Sequence, residues 1–419
     1  MNKLFASIIT IGDELLIGQV VDTNSAFIAQ ELNKIGVPVK HRLAVGDRYD
    51  DIWNALDEES KHADIILITG GLGPTADDIT KPLLCNYFNG KMIVHEPTLE
   101  HVILLFEKVF KRPGALLERN KKQAEVPDTC TVLKNERGTA PGMLFEKNGK
   151  IFIAMPGVPH EMKWITTNHV LPIIKEKFNT AFIEHRTLLT YGIGESVLAE
   201  MIKDWEEKLP TEVKLAYLPN YGMVRLRLTS IGFDKNILNE KLDILFTQLK
   251  EQTKEFLIVD EDISLDIFVG NLLKQKNKTL ATAESCTGGS IASLLTTQPG
   301  ASSFFTGSIV CYDNRIKTEI LSVPKEILTT VGAVSKETVE LMAANIITLM
   351  NTDYSIAVSG IMGPTGATDE KPVGMVWIAV ANKEKVIAEQ FNFRFDRARN
   401  ILLTINTALN MLRKLVIEN

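Results

Sequence analysis
The sequence predicts an α/β protein: a mostly parallel α/β sandwich first, a small α+β module in the middle, and a second α/β domain at the end. Three observations carry this. Short continuous apolar runs such as FASIITIG and DIILITGG alternate with helical stretches, as strands buried on both faces do. Between about residues 180 and 255 the pattern changes, and VKLAYLP and MVRLRLTSI alternate like antiparallel strands. From about residue 264 the strand–helix order returns.

Taken in order, FASIITIG is a strand, NSAFIAQELNKIG a helix stopped at Gly36, and VPVKHRLAVG a second strand. DDIWNALDEESKHA is a helix capped by Asp50 or Asp51, and DIILITGG is a third strand. This βαβαβ order implies a parallel sheet with helices on both sides. A further helix is expected over roughly 98–112, and KIFIAMPGVPHEM reads strand, turn, helix. In the middle come the strand HRTLLTYG, the helix IGESVLAEMIKDWEEKL, the two alternating strands and a helix near 235–255. IVDEDISL is a linker ending in a helix N-cap at Ser264. The last part runs helix (LDIFVGNLLKQKN), strand (TLATAES), helix (GGSIASLLTT), strand (GSIVCYD), a helix from Ser335 to Met350, and the strand YSIAVSG. Two more strands, GMVWIAVA and KVIAEQFNF, precede a final helix from about Asp396. The expected domain limits are 1–175, 176–258 and 262–419.

Composition narrows the function classes. A chain of 419 residues needs more than one core. Its 45% hydrophobic and 7% aromatic content suits a globular protein. A net charge of −6 argues against direct nucleic-acid binding, which needs clustered Lys and Arg. Residues 180–255 hold ten Lys or Arg against twelve Asp or Glu, a net of −2, so the middle module is not basic either. Cys85, Cys130, Cys286 and Cys311 are scattered, with no CxxC pair to suggest zinc. The opening MNKLFASIITIGDELL reads as a first strand rather than a signal peptide. No stretch of about 18 apolar residues predicts a membrane span. The cytoplasm is the expected location.

Two acidic–glycine motifs stand at neighbouring strand ends in the first domain. IGDELLIGQVVDTNS carries Gly12, Asp13, Glu14, Asp22 and Asn24; TGGLGPTADDIT carries Gly70, Gly71, Gly73, Thr75, Asp77 and Asp78. Ligands of open α/β sheets bind at the carboxyl ends of strands, where glycines let backbone N–H groups approach an anion. Carboxylates beside such a cradle suit a divalent cation held against phosphates, although Asp77 and Asp78 equally suit a helix first turn. ERNKKQAEVP and NERGTAPG add Asn120, Asn135, Gly138, Thr139 and Gly142, and MPGVPHEM adds Gly157, His160 and Glu161.

The last domain concentrates hydroxyls, glycines and lysines in three stretches. AESCTGGS points Thr287, Gly288 and Gly289 at a helix N-terminus, a cradle for an anion or an amide oxygen. QPGASSFFTGSIVCYDNRIK carries Ser302, Ser303, Tyr312 and Lys317. SGIMGPTGATDEKPVG carries Gly363, Thr365, Gly366 and Lys371 on a loop after a strand. No His follows His185, so a Ser-His-Asp or Cys-His arrangement cannot form within this domain. A nucleophilic serine here needs a lysine base with a lowered pKa, and Lys317 is the best candidate. Composition alone does not choose among Ser285, Ser302 and Ser303. Without a His partner, Cys286 and Cys311 read as small buried hydrophobes. Arg397 and Arg399 in FRFDRARN are candidate phosphate ligands, since guanidinium forks suit phosphate.

GDELLIGQVVDTNS, TGGLGPTADDIT, GTAPG and MPGVPHEM, in this order, resemble the N-terminal signature of the competence/damage-inducible CinA family. The resemblance implies a molybdopterin-binding-like fold and hydrolysis of ADP-ribose to AMP and ribose 5-phosphate. It also implies a divalent cation (Mg, Mn or Co) for this domain, with Asp13, Glu14, Asp77 and Asp78 as candidate ligands. A monovalent cation such as K is a further candidate. Gly12, Asp22, Asn24, Gly70, Gly71, Gly73, Thr75, Asn120 and Gly157 are the expected substrate contacts. The middle module resembles the family's KH-like insert, but YGIGES lacks GxxG spacing, which favours a spacer or dimer-forming role. The stretch from AESCTGG through PVGMVW resembles the family's C-terminal domain, which also occurs alone as nicotinamide-nucleotide amidohydrolase. That resemblance implies deamidation of nicotinamide mononucleotide, with no cofactor. It assigns Ser302 as nucleophile, Lys317 as base, Tyr312 as proton-transfer aid and Ser285 as substrate contact. Thr287, Gly288, Gly289, Gly363, Thr365, Gly366, Arg397 and Arg399 complete the expected site. A homodimer is the implied assembly. The alternative reading is a non-catalytic pterin- or nucleotide-binding regulator linked to competence.

Overall fold
The computed structural model describes residues 4–75, 78–109 and 118–418. The chain divides into two compact units, Met1–Glu184 with Ser230–Glu240, and His185–Thr229 with Lys241–Asn419.

In the N-terminal domain the strands β1 (Ala6–Ile11), β2 (Val39–Val45) and β3 (Ile65–Thr69) alternate with helices α1 (Thr23–Lys34) and α2 (Tyr49–His62). Helix α3 (Thr80–Tyr87), strands β4 (Thr131–Leu133), β5 (Gly142–Lys147) and β6 (Lys150–Met155), and helix α4 (Pro159–Ile165) follow. The sheet order is β2-β1-β3-β6-β5-β4. The first four strands are parallel and the last two antiparallel. Side chains alternate across a strand, so one sheet builds two cores. Ile8, Leu67 and Ile153 pack under α1 and α4 through Ile28, Leu32 and Met162. Ile9, Ile68 and Phe152 pack under α2 and α3 through Ile52, Leu56 and Leu83.

Two local expectations change. The N-cap of α2 is Arg48, and Asp50 and Asp51 sit in its first turn, where carboxylates favour the helix dipole. The helix expected over 98–112 runs Glu96–Leu104 and widens into a π-turn at Leu105–Val109. The rest of that expected span lies outside the described residues.

The middle module has strands β7 (Phe182–Tyr191), β8 (Val213–Asn220), β9 (Met223–Gly232) and β10 (Leu257–Val259) in the order β8-β9-β7-β10. Helices α5 (Glu195–Glu206) and α6 (Lys235–Thr253) accompany them. Leu226 and Leu228 of β9 share a core with Leu198, Ile202, Leu242 and Leu249 of the helices. Arg225, on the alternate face, pairs with Asp262 of the linker at 2.8 Å.

The C-terminal domain contains α7 (Leu265–Gln275), β11 (Leu280–Glu284), α8 (Ser290–Thr296), β12 (Phe305–Val310), α9 (Asn314–Glu319), α10 (Lys336–Met350), β13 (Tyr354–Gly360), β14 (Met375–Asn382), β15 (Val386–Asn392) and α11 (Arg397–Glu418). Ser264 is the N-cap of α7, as its position in the sequence predicts. The sheet order is β12-β11-β13-β14-β15. β12, β11 and β13 run parallel, and β14 and β15 are antiparallel additions. Helices α7 and α11 cover one face through Val269, Leu273, Leu409 and Leu412; α10 covers the other through Met342 and Ile346. The carboxyl ends of β11, β12 and β13 therefore lie side by side at one edge of the sheet. Among the described residues no helix is long and apolar enough to cross a membrane.

One glycine tests this packing. Gly374 holds φ +89°, and a Cβ there would lie 1.5 Å from the Phe393 carbonyl oxygen. Gly374→Ala is expected to destabilise the C-terminal domain by about 2–3 kcal/mol, read as a lowered midpoint in thermal unfolding.

Candidate active site
Three loops leave the carboxyl ends of β11, β12 and β13 side by side. In register, Glu284 of β11 lies opposite Val310 of β12 and Val358 of β13. The Ser285 N–H donates to the Val358 carbonyl at 3.0 Å, and the Cys311 N–H to the Glu284 carbonyl at 2.9 Å. Ser285 is thus fixed one step beyond the sheet, between its two neighbours.

Lys317 reaches this point from α9, whose N-cap Asp313 accepts from the Arg315 N–H. The Lys317 side chain is 1% exposed. Its Nζ lies 3.1 Å from Ser285 Oγ, 2.6 Å from the Cys311 carbonyl and 3.3 Å from the Tyr312 carbonyl. Burial disfavours the ammonium form and pushes its pKa down. A neutral amine has two N–H bonds and one lone pair. Nζ donates to the Ser285 hydroxyl oxygen as well as to the two carbonyls; once the amine is neutral, the carbonyls can take its two N–H bonds and its lone pair can take the Ser285 hydroxyl proton.

Glu284 organises the loop behind Ser285. Fully buried, it accepts from the Thr287 hydroxyl (2.7 Å), the Ile291 N–H (3.0 Å), the Ala292 N–H (2.8 Å) and the Thr282 hydroxyl (3.2 Å). The protein's own carboxylate therefore fills the N-terminus of α8. This corrects the anion cradle expected at Thr287, Gly288 and Gly289: Thr287 is buried on Glu284, and the two glycines, at φ +61° and +94°, turn the chain.

The catalytic pair expected from the sequence is also corrected. Ser302 is exposed on the short 3-10 turn Ala301–Ser303, ahead of the amino end of β12, while Lys317 follows its carboxyl end. The strand between spans six residues, so its ends are about 20 Å apart. Ser303 bonds the Gly300 carbonyl in the same turn. The hydroxyl that meets Lys317 belongs to Ser285.

A cleft of about 330 Å³ opens over Ser285 and Lys317. Gly363, Thr365, Gly366, Tyr312 and Arg397 line it, as expected; Asn314 and Ser359 join them. The Arg397 guanidinium donates to the Gly363 carbonyl (2.9 Å) and, at a long 3.4 Å, to the Tyr312 hydroxyl. Tyr312 is 64% exposed, so its phenol belongs to the rim and meets Arg397 rather than Lys317. Arg399 is not a lining residue: it pairs with Asp396 at 3.5 Å in solvent. Burial pushes the thiols of Cys286 and Cys311 up to about 12 and about 11, so neither supplies a thiolate near neutral pH.

A second cleft, of about 390 Å³, lies at the carboxyl ends of β1, β3 and β6. Gly12, Gly70, Gly71, Gly73 and Gly157 line it, as expected, with Glu14 and Asp78. Glu161, singled out in MPGVPHEM, also lines it, and Asp47 and Gln123 are lining residues the motifs did not single out. The other expected contacts have different tasks. Asp22 caps α1 through the Ser25 N–H at 2.9 Å and accepts from Thr10. Asn24 donates to the Gly157 carbonyl at 2.7 Å, tying α1 to the cleft wall. Thr75 donates through its backbone to Asp78 at 2.9 Å, and Asn120 is not a lining residue.

A divalent cation does not fit the carboxylates as they stand. Asp78 accepts from the N–H groups of Gly73 and Thr75 and from the Thr75 hydroxyl. Asp13 and Asp47 are tied to each other's backbone N–H groups. Among the described residues no three His, Cys, Asp or Glu converge to hold a metal. Asp77 lies outside the described residues. Glu161 accepts from Asn135 at 2.5 Å, and burial raises its pKa.

Three segments match known domain families: residues 7–176 a probable molybdopterin binding domain, 185–257 a damage-inducible protein CinA KH domain, and 262–416 a CinA C-terminal domain. A CinA-like protein of Flavobacterium psychrophilum is 44% identical over 415 residues, 99% of both chains. The chain belongs to the CinA family. A putative competence-damage inducible protein of Caldicellulosiruptor bescii is 38% identical over 99% of this chain and 100% of its own. The crystal structure of the competence/damage inducible protein CihA from Agrobacterium tumefaciens is 37% identical over 36% of this chain and 93% of its own, with a TM-score of 0.36. Both clefts of this CinA chain follow one rule: they sit at carboxyl ends of adjacent parallel strands.

Glu284 offers a direct test of the C-terminal geometry. Glu284→Ala leaves two N–H groups of α8 without an acceptor and frees the turn after Ser285. It is expected to cost about 3 kcal/mol in thermal or urea unfolding, with Glu284→Gln costing less because one acceptor oxygen remains.

Proposed function
We propose that the C-terminal domain is a serine amidohydrolase whose substrate is nicotinamide mononucleotide, releasing ammonia and nicotinic acid mononucleotide. The observation that carries this is the 3.1 Å approach of Ser285 Oγ to a buried lysine amine that, among the described residues, has no carboxylate partner. The substrate assignment rests on the resemblance to nicotinamide-nucleotide amidohydrolases and on Arg397 at the mouth of the cleft, where a fork of N–H donors suits a phosphate.

The steps follow from the geometry. Neutral Lys317 takes the Ser285 proton as the oxygen attacks the carboxamide carbon. The resulting ammonium gives that proton to the departing nitrogen, and ammonia leaves an ester on Ser285. Water then attacks the ester, Lys317 takes its proton and returns it to Ser285 Oγ as the acyl–oxygen bond breaks, and the acid product departs. The Gly363–Gly366 loop supplies backbone along the cleft wall.

For the N-terminal domain the reading is binding and hydrolysis of ADP-ribose to AMP and ribose 5-phosphate. A Gly-lined cleft at strand ends supports a phosphate-bearing ligand. Among the described residues the carboxylates of this cleft do not converge on one point.

Ser285→Ala is expected to lower ammonia release from nicotinamide mononucleotide about 1000-fold or more, while Ser302→Ala stays within about twofold of the parent. AMP release from ADP-ribose by the Ser285→Ala protein should be unchanged, because the two clefts are separate sites. The base must be unprotonated to act, so kcat/KM should rise with pH through a pKa below the ordinary lysine value of 10.5. The same shift makes the folded state bind fewer protons than the unfolded chain. The stability cost of charged Lys317 is therefore present below its folded pKa and is relieved as pH rises from there towards 10.5. Loss of activity on Ser302→Ala with retention on Ser285→Ala would overturn the assignment.

A further inference from the structure
Gln123 is 1% exposed, yet it lines the N-terminal cleft. Neither its Oε1 nor its Nε2 has a hydrogen-bond partner. Its backbone is well held: the buried Lys81 ammonium donates to the Gln123 carbonyl at 2.8 Å, and Ala124 accepts from the His95 N–H at 2.8 Å. Leaving a buried amide unpaired at both ends is costly, and a fixed backbone prevents it from swinging out to water. The deficit is concentrated around this one cleft. Among the described residues seven buried side-chain polar atoms lack a partner, and four belong to Gln123, Thr80 and Asn24. The Thr80 hydroxyl lies directly under Gly71, a lining residue, where a Cβ would come within 2.1 Å of it. Asn24 is bonded to Gly157, another lining residue.

A carboxamide with a free donor beside a free acceptor matches a heterocycle that presents an acceptor beside a donor, as adenine does with N7 and N6. An oxopurine or a pterin offers the same pairing along its ring N–H and carbonyl. We propose that Gln123 is the base-reading residue of the N-terminal cleft, pairing through both ends of its amide with the edge of a bound purine-type heterocycle. This deepens the nucleotide reading of that cleft and rests on it. The phosphate-bearing part of the ligand would then lie along the glycine turns at Gly70–Gly73, and the base over Gln123.

The test uses the full chain in EDTA, titrated calorimetrically with ADP-ribose, AMP, GMP, pterin and ribose 5-phosphate. Gln123→Met keeps the side-chain length and removes both polar ends. It is expected to weaken ADP-ribose or AMP binding about 10- to 100-fold and to leave ribose 5-phosphate unaffected. It should also raise the melting temperature of the ligand-free protein by about 2–6 °C, because an unpaired buried amide is gone. Gln123→Glu, which lacks the donor, should lose base binding without that gain. A purely structural glutamine would show the reverse, a lower melting temperature with ligand affinities unchanged or lost uniformly, and that result overturns the proposal. Gln123-dependent binding of GMP or pterin in place of ADP-ribose supports the base-reading role and overturns ADP-ribose as the ligand. ADP-ribose binding that is equal in parent and Gln123→Met overturns the role of Gln123 and leaves the nucleotide reading standing. No base-bearing ligand binding to the parent overturns both.

Discussion
The chemistry proposed for the C-terminal domain depends on burying one lysine that, among the described residues, has no carboxylate within hydrogen-bond distance. Lys317 is closed off from solvent, and its amine meets two carbonyls and one hydroxyl. A carboxylate at hydrogen-bond distance would hold the ammonium form and leave no base. Carbonyls solvate the amine without neutralising a charge, so burial outweighs the opposing pull of Asp313 and lowers the proton affinity. The same carbonyls orient the nitrogen, because they belong to Cys311 and Tyr312 at the end of β12, the neighbour of the strand that carries Ser285.

That arrangement requires the strand ends to stay in register. Ser285 is pinned to β13 by its own N–H, and the turn after it is pinned by Glu284. Glu284 is the acidic residue of the site, and it is spent entirely on structure: its four donors lie within eight residues of it along the chain. Here its oxygens are saturated by two hydroxyls and two backbone N–H groups, and Lys317 is left to Ser285. The N-terminal cleft keeps a similar economy, with Asp78 and Asp22 spent on turn and cap, and Gln123 left unspent.

The fold was largely legible in the sequence, because buried parallel strands read as continuous apolar runs and a cap read as Ser264. Boundaries were less so: the first turn of α2 starts at Tyr49, since Asp50 and Asp51 serve the dipole there instead of the cap. In the site, the absence of histidine made Lys317 the best candidate base, and the structure buries its amine against the Ser285 hydroxyl. Composition did not choose among Ser285, Ser302 and Ser303, and the family resemblance pointed to Ser302, 15 residues before Lys317, rather than to Ser285, 32 residues before it. Three-dimensional order reverses this. The chain crosses the sheet along β12 after Ser302, whereas β11 and β12 are parallel neighbours, so their carboxyl ends meet. The signal was present, since a serine directly after a buried parallel strand stands at the ligand-binding edge of the sheet. Gln123 carried no such signal. Its role depends on which polar atoms are left unpaired, and that is visible only once every neighbour has been placed.

The nucleophile can be identified directly by trapping its ester. Acid quench of the parent protein during turnover of nicotinamide mononucleotide, followed by proteolysis and mass spectrometry, should find the nicotinoyl-nucleotide adduct on the peptide containing Ser285. An adduct on the peptide containing Ser302, or on Cys286, would contradict the Ser285–Lys317 pair.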